Sequence, residues 1–92
     1  MPQYLDPCRV GNKVIIRTVT LYYTGEIVDI NPKRLLLINC AWIAEVGRFA
    51  AALETGDLSE VEPYPEGAVV YVSMDIVSDI TDWKHELPTQ VK

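Results

Sequence analysis

The chain has 92 residues, 49% of them hydrophobic and 23% charged, with a formal net charge of −5. This length suits one domain and leaves little room for two independent cores, and near-neutral hydropathy in short apolar runs argues against a long disordered chain. No apolar stretch approaches the roughly 20 residues of a membrane-spanning helix, and Pro2, Asp6 and Pro7 interrupt the place where a secretory signal needs a basic start and an apolar centre, so the chain reads as a soluble, cytoplasmic protein with no membrane partner.

Residues 1–9 form an N-terminal arm. The segment VGNKVIIRTVTLYYTGEIVDI, from Val10 to Ile30, is rich in Val, Ile, Thr and Tyr, which fit a pleated surface. Val14, Ile16 and Thr18 alternate with Ile15, Arg17 and Val19, which predicts a strand with one buried and one mixed face. Gly25 lies inside the next strand, where a residue without a Cβ permits a sharp bend or the close approach of another backbone. Asn31-Pro32 supplies a turn. The apolar run RLLLINCAWI, from Arg34 to Ile43, predicts a central strand covered on both faces, and periodicity alone leaves a buried helix open.

Val46, Phe49, Ala50 and Leu53 then recur at helical spacing ahead of Gly56, a residue suited to a helix stop. A short helix is expected from about Val46 to Thr55, weakened at Gly47 by about 1 kcal/mol relative to alanine. In the acidic connector that follows, Pro63 and Pro65 bar regular pairing. AVVYVSMDIVSDI gives two short strands meeting near Ser73-Met74-Asp75, and residues 84–92 read as a polar tail without regular structure.

Charge is unevenly spread. Up to Arg34, five cations (Arg9, Lys13, Arg17, Lys33 and Arg34) face Asp6, Glu26 and Asp29; later, Glu54, Asp57, Glu60, Glu62 and Glu66 follow one another with no basic residue between them. A protein that binds polyanions by releasing counterions needs the opposite balance. General nucleic-acid binding is therefore disfavoured, and Lys33 and Arg34 remain as a local basic patch. Cys8 and Cys40 have no zinc-type spacing and the chain has a single His, too few soft ligands for a structural zinc site. Cys40 reads as a buried free thiol; a bond between the two cysteines would require an oxidising compartment.

The segment GNKVIIRTVTLYYTGEIVDI resembles the first Sm motif, with Gly11, Val14, Ile16, Gly25, Ile27, Val28 and Ile30 at its glycine and apolar places. VYVSMDIVSDI resembles the second, with Val70, Val72, Ile76, Val77 and Ile80 at its apolar places. The resemblance implies a mainly β fold with one short helix: a small five-stranded, strongly bent Sm-like barrel over residues 10–83. The helix would be inserted between strands three and four, inside a region at about 45–67 that includes the acidic connector. The residues that line the RNA site of Sm proteins do not carry over, because Leu35 stands at the asparagine position and Ser73-Met74 replaces an Arg-Gly pair. A second resemblance spans RTVTLYYTGEIV, AWIAEVGRFAAALETGDLSEVEPYP and DWKHELP. It is to a family of small bacterial and phage proteins without an established activity, and it implies a phage or prophage accessory protein.

No catalytic constellation is legible. His85, the only available base, sits in the polar tail and reads as solvated. Strand alternation separates Asp82 from Asp75 and Asp79, and neither Thr-Gly-Glu nor Val-Gly-Arg has the lysine or spacing of a phosphate loop. The chain is expected to be a non-enzyme with no cofactor and no metal site. Aromatic residues with arginine are the usual anchors of binding surfaces: Trp42 and Phe49 are assigned to the core, and Tyr22, Tyr23, Arg48 and Tyr64 to ligand or partner binding. Unpaired strand edges in a barrel that is not fully closed predict a homo-oligomer. The expected function is a non-catalytic, self-associating interaction module. A small-ligand binder with a nucleotide-type, aromatic–arginine site is the alternative, and a divergent Sm-like RNA binder is the second alternative.

Overall fold

The alternation of Val14, Ile15 and Ile16 sends apolar side chains to both sides of one strand, and the rest of the chain supplies a cover for each side. The computed structural model describes residues 4–92. Its elements, in chain order, are β1 (Lys13–Thr18), β2 (Tyr22–Asn31), β3 (Arg34–Glu45), α1 (Phe49–Thr55), β4 (Glu60–Pro63), β5 (Val70–Ser73) and β6 (Val77–Asp82), with one turn of 3-10 helix at Met74–Ile76 between the last two strands. The fold is mainly β with one helix. All strand pairs are antiparallel, in the order β4-β3-β2-β1-β6, and β5 also pairs with β3. The sheet has six strands where five were expected, and no pairing among the described residues closes it.

The sixth strand is the correction to the acidic connector. Glu60–Pro63 pairs with Ala41–Glu45 of β3, so the prolines do not prevent pairing. Pro63 is the last residue of an edge strand, where a missing N–H leaves little of the ladder unmade. β5 and β4 lie one after the other along the same edge of β3, β5 on Arg34–Leu37 and β4 on Ala41–Glu45.

β2 and β3 bend together. A Cβ on Gly25 would stand 3.2 Å from Leu37 Cβ and 3.4 Å from the Ile38 carbonyl oxygen, so the strands approach there only because the side chain is absent. Across from it Asn39 has φ 50, a left-handed conformation that asparagine tolerates better than most residues. The register passes from Glu26↔Ile38 to Thr24↔Ala41, which leaves β3 one residue longer than β2 over this stretch. This is a β-bulge, and the extra residue reverses which side chains face which side.

One buried cluster holds Val14, Ile16, Ile27, Leu35, Leu37, Cys40, Val70 and Val72. The other holds Ile15, Ala41, Ile43, Val46, Ala52, Leu58, Val61 and Trp83. The two share the sheet between them. α1 covers the second cluster with Ala52, flanked by half-buried Phe49 and Leu53. It begins three residues later than expected, because Gly47 takes φ 73 and its N–H is held by the Glu45 carboxylate. Ala50 is exposed rather than part of the buried stripe. Gly56 ends the helix as expected, at φ 78 with its N–H on the Ala52 carbonyl.

The segment after β6 is not a solvated tail throughout. Trp83 is only 2% exposed, and its indole N–H donates to the Glu86 carbonyl. His85 packs edge-on against Trp83 and places Nε2 2.7 Å from the Leu53 carbonyl oxygen, while Lys13 Nζ donates to the His85 carbonyl. Residues 83–87 therefore close the second cluster, which explains how a short, polar-looking stretch orders itself. A buried indole with its N–H satisfied removes large apolar area from water without an unmet polar group.

Thr24 is completely buried and its hydroxyl has no partner. An unsatisfied buried hydroxyl is unfavourable by about 1–3 kcal/mol. Thr24→Val should therefore raise stability by about 1 kcal/mol, measured as a higher urea midpoint at unchanged slope. A lower midpoint would show that the hydroxyl is satisfied in solution.

Candidate functional site

The residues assigned to a binding site do not meet in one place. Tyr22 and Tyr23 are neighbours on β2 and so point to opposite faces. Tyr22 packs beside the second cluster and Tyr23 beside the first. Tyr64 joins Tyr23 on the first face, next to Cys40, and its N–H donates to the Cys40 carbonyl. Arg48 precedes α1 at the N-cap, exposed and without a capping side-chain bond.

An arginine does lie over an aromatic ring, but it is Arg17. Its guanidinium carbon is 5.1 Å from the centre of the Phe49 ring, and Phe49 in turn stands 5.7 Å from Tyr22 at a tilt of 35°. Arg17 also forms an ion pair with Asp79 through both Nε and Nη2. The cluster joins β1, β2, β6 and the first residue of α1, so it ties the helix to the sheet. It leaves the guanidinium charge already matched, and an incoming anion would have to displace Asp79.

Trp42 corrects the core assignment. It is 37% exposed, while Phe49 is half-buried at the rim of the second cluster. Because of the Asn39 bulge, Trp42 follows Cys40 on the first face, beyond the end of that cluster, in a row with Tyr23 of β2 and Glu62 of β4. Lys33 is exposed, but Arg34 donates to Asp29 at 2.8 Å, and that bond holds the Asp29 carboxyl below its usual range. The basic patch is thus partly neutralised. Asp79 pairs with Arg17 and Asp82 accepts from Asn12, while Asp75 lies in the 3-10 turn and not on the strand, so strand alternation does not set Asp75 on one face with Asp79. No group of three or more His, Cys, Asp or Glu among the described residues could hold a metal ion.

A concavity of about 500 Å³ runs between the loop after β4 and the tail, lined by Asn39, Cys40, Pro63, Tyr64, Glu66 and Leu87 among others. It contains no arginine or lysine, so it offers an anionic ligand no counter-charge. Burial, then the neighbouring Tyr23 and Cys40, push the Tyr64 phenol above its usual value. Burial pushes the Cys40 thiol up to about 12, and both cysteines are free.

The two strand ends of the sheet are the more open feature. β6 pairs with β1 alone and β5 with β3 alone, so each has an unpaired edge. β5 reads VYVS and carries no charge. Val70 and Val72 point inward, while Val69 and Tyr71 are 59% and 64% exposed. The alternation of this segment already contains that split, since Val69 and Tyr71 share one parity and Val70 and Val72 the other. No helix among the described residues is long and apolar enough to cross a membrane. No family model, curated protein or solved structure matches the chain.

The two thiols should separate chemically. A thiolate is the nucleophile in alkylation. Partial burial and Asp6 hold the Cys8 thiol above its usual value too, but Cys8 is partly accessible and Cys40 is buried. Iodoacetamide at pH 8 is therefore expected to modify Cys8 slowly in the folded chain and to spare Cys40 until denaturant is added, counted by mass spectrometry. Cys40 ionises near 9.0 when unfolded and near 12 when folded, so between these values the unfolded chain binds fewer protons. The stabilisation is complete below pH 9 and is lost as pH rises toward 12. Cys40→Ala should flatten this part of the stability–pH curve; an unchanged slope would assign it to other groups.

Proposed function

We propose that the protein is a non-catalytic interaction module that associates with further copies of itself through the open edges of β5 and β6. The observation that carries this reading is β5: an uncharged strand with an unpaired edge, flanked by the exposed side chains of Val69 and Tyr71. Edge strands that are meant to stay single are usually protected by charge, proline or a bulge. β5 has none of these along its four residues.

The Sm-like barrel belongs to the same proposal. Taken without β4, the strand order is β6-β1-β2-β3-β5, with a bent second strand and a single 3-10 turn joining the last two. These features support a small, strongly bent barrel to which β4 and the helix are added. Sm-like domains join such terminal strands between neighbouring subunits, which is the form of association proposed here. The likeness to small bacterial and phage proteins supports a setting as a phage or prophage accessory protein.

The alternatives have less behind them. A nucleotide-type ligand would need a free arginine beside the tyrosines, and the arginine found there, Arg17, is committed to Asp79. An Sm-like RNA site would need polar groups at Leu35 and Ser73-Met74; Leu35 is buried in the first cluster and the Ser73 hydroxyl caps the 3-10 turn by accepting from Asp75 N–H.

Light scattering of the purified chain at micromolar concentration should give a closed multimer. Val69→Lys together with Tyr71→Lys should reduce it to a monomer with the same circular dichroism. A monomer in the unmodified chain, or a multimer indifferent to both lysines, would reject the association.

A further inference from the structure

β4 is an edge strand whose outer side is met by the last residues of the same chain. Lys92 N–H donates to the Val61 carbonyl and Val61 N–H donates to the Lys92 carbonyl, each at 2.9 Å. Two residues that exchange both bonds are a hydrogen-bonded antiparallel pair. Lys92 Nζ also stands 2.5 Å from Asp57 Oδ1. Among the described residues, these are the contacts by which hydrogen bonds fix 88–92 to the sheet.

The rest of this segment is loosely seated. A groove of about 400 Å³ lies on one flank, between Val91 and Trp42, and another of about 280 Å³ lies on the other, between Leu58 and Pro88. Val91 is 77% exposed. Around the edge stand the exposed carboxylates Asp57, Glu60 and Glu62, of which only Asp57 has an ion pair among the described residues. The tail thus brings one lysine to an edge with three carboxylates. It shows which backbone geometry the edge accepts and meets only part of its charge.

We propose that the outer edge of β4, with Trp42 beside it, is a docking site for an extended, lysine-rich segment of a partner protein, which adds as a strand in place of Val91–Lys92. Main-chain bonds to Val61 give the segment its register. Side chains of one parity fall on the Trp42 face, where a lysine can lie over the indole and beside Glu60 and Glu62, and those of the other parity fall toward the groove by Leu58. A partner segment richer in lysine than residues 88–92 is favoured because Glu60 and Glu62 have no ion pair among the described residues. The chain's own tail acts as a tethered competitor that lowers affinity until it is displaced. The site is separate from the β5 and β6 edges and does not depend on self-association there.

The test uses a fluorescein-labelled hexapeptide of alternating valine and lysine, titrated by anisotropy against the full chain and against Lys92→Pro, which removes both the tail's N–H donor and its ammonium group. A second peptide, with proline in place of each valine, keeps the charge but cannot pair as a strand. Retained burial of Trp83, read from blue-shifted emission, reports that the variant is folded. The expected result is binding by both chains, about tenfold tighter to Lys92→Pro because the tethered competitor is gone. Binding should weaken with salt, fall sharply in Trp42→Ala and be absent for the proline peptide. Equal affinities for the two chains, equal binding of the two peptides, or no binding by either chain would each overturn the proposal. A multimer of the unmodified chain that disappears in Lys92→Pro would overturn it in favour of tail exchange between copies.

Discussion

The approach of β2 to β3 at Gly25 governs which side chains reach each face of the sheet. There the Leu37 side chain fills the space that a Cβ would take, and the Asn39 bulge opposite adds one residue to β3. Before the bulge, Leu35 and Leu37 enter the first cluster. After it, Cys40 continues that face while Ala41 and Ile43 turn to the second. A flat β3 would have put Leu37 and Ile43 on the same side. The bend lets one 12-residue strand line two cores, and it carries β4 and β5 along a single edge without their meeting.

Two cores in 92 residues are possible because neither is independent. β1 contributes Val14 and Ile16 to one and Ile15 to the other, with β2 and β6 on its two edges. The second core needs a lid, made from α1 and the segment around Trp83. The Arg17 cluster fastens that lid at one corner by stacking on Phe49 while pairing with Asp79. The arginine–aromatic contact found here involves Arg17 rather than Arg48, and it serves packing.

Much of this was legible in the residues. The alternation over Val14–Thr18, the bend at Gly25, the break at Ser73–Asp75 and the helix stop at Gly56 are local patterns with local causes, and the structure has them. The buried free Cys40 follows equally from the apolar run around it. What escaped depends on contacts distant in sequence. Nothing near Trp83 says that it will be buried against Ile15, and His85 looks solvated until Leu53 and Gly56 are placed beside it. Trp42 was assigned to the core because an uninterrupted apolar run conceals the parity change at Asn39. β4 was missed because two prolines mark a break, although one of them can end an edge strand. Tyr22 and Tyr23, adjacent in sequence, are sent to opposite faces by the pleat, so the two cannot line one surface.

The burial of Trp83 also bears on how the chain is made. A nascent chain that has emerged only as far as β6 holds every strand of the first core, but Ile15, Ala41 and Ile43 still lack the indole that covers them. Their partner comes from nearly seventy residues further along than Ile15, a strongly non-local contact. During synthesis one face of the sheet is therefore an unsheltered apolar surface until the segment around Trp83 leaves the ribosome. Premature termination just before Trp83 would release a sheet with one greasy side, a substrate for chaperones and proteases rather than a slightly shorter version of the same protein.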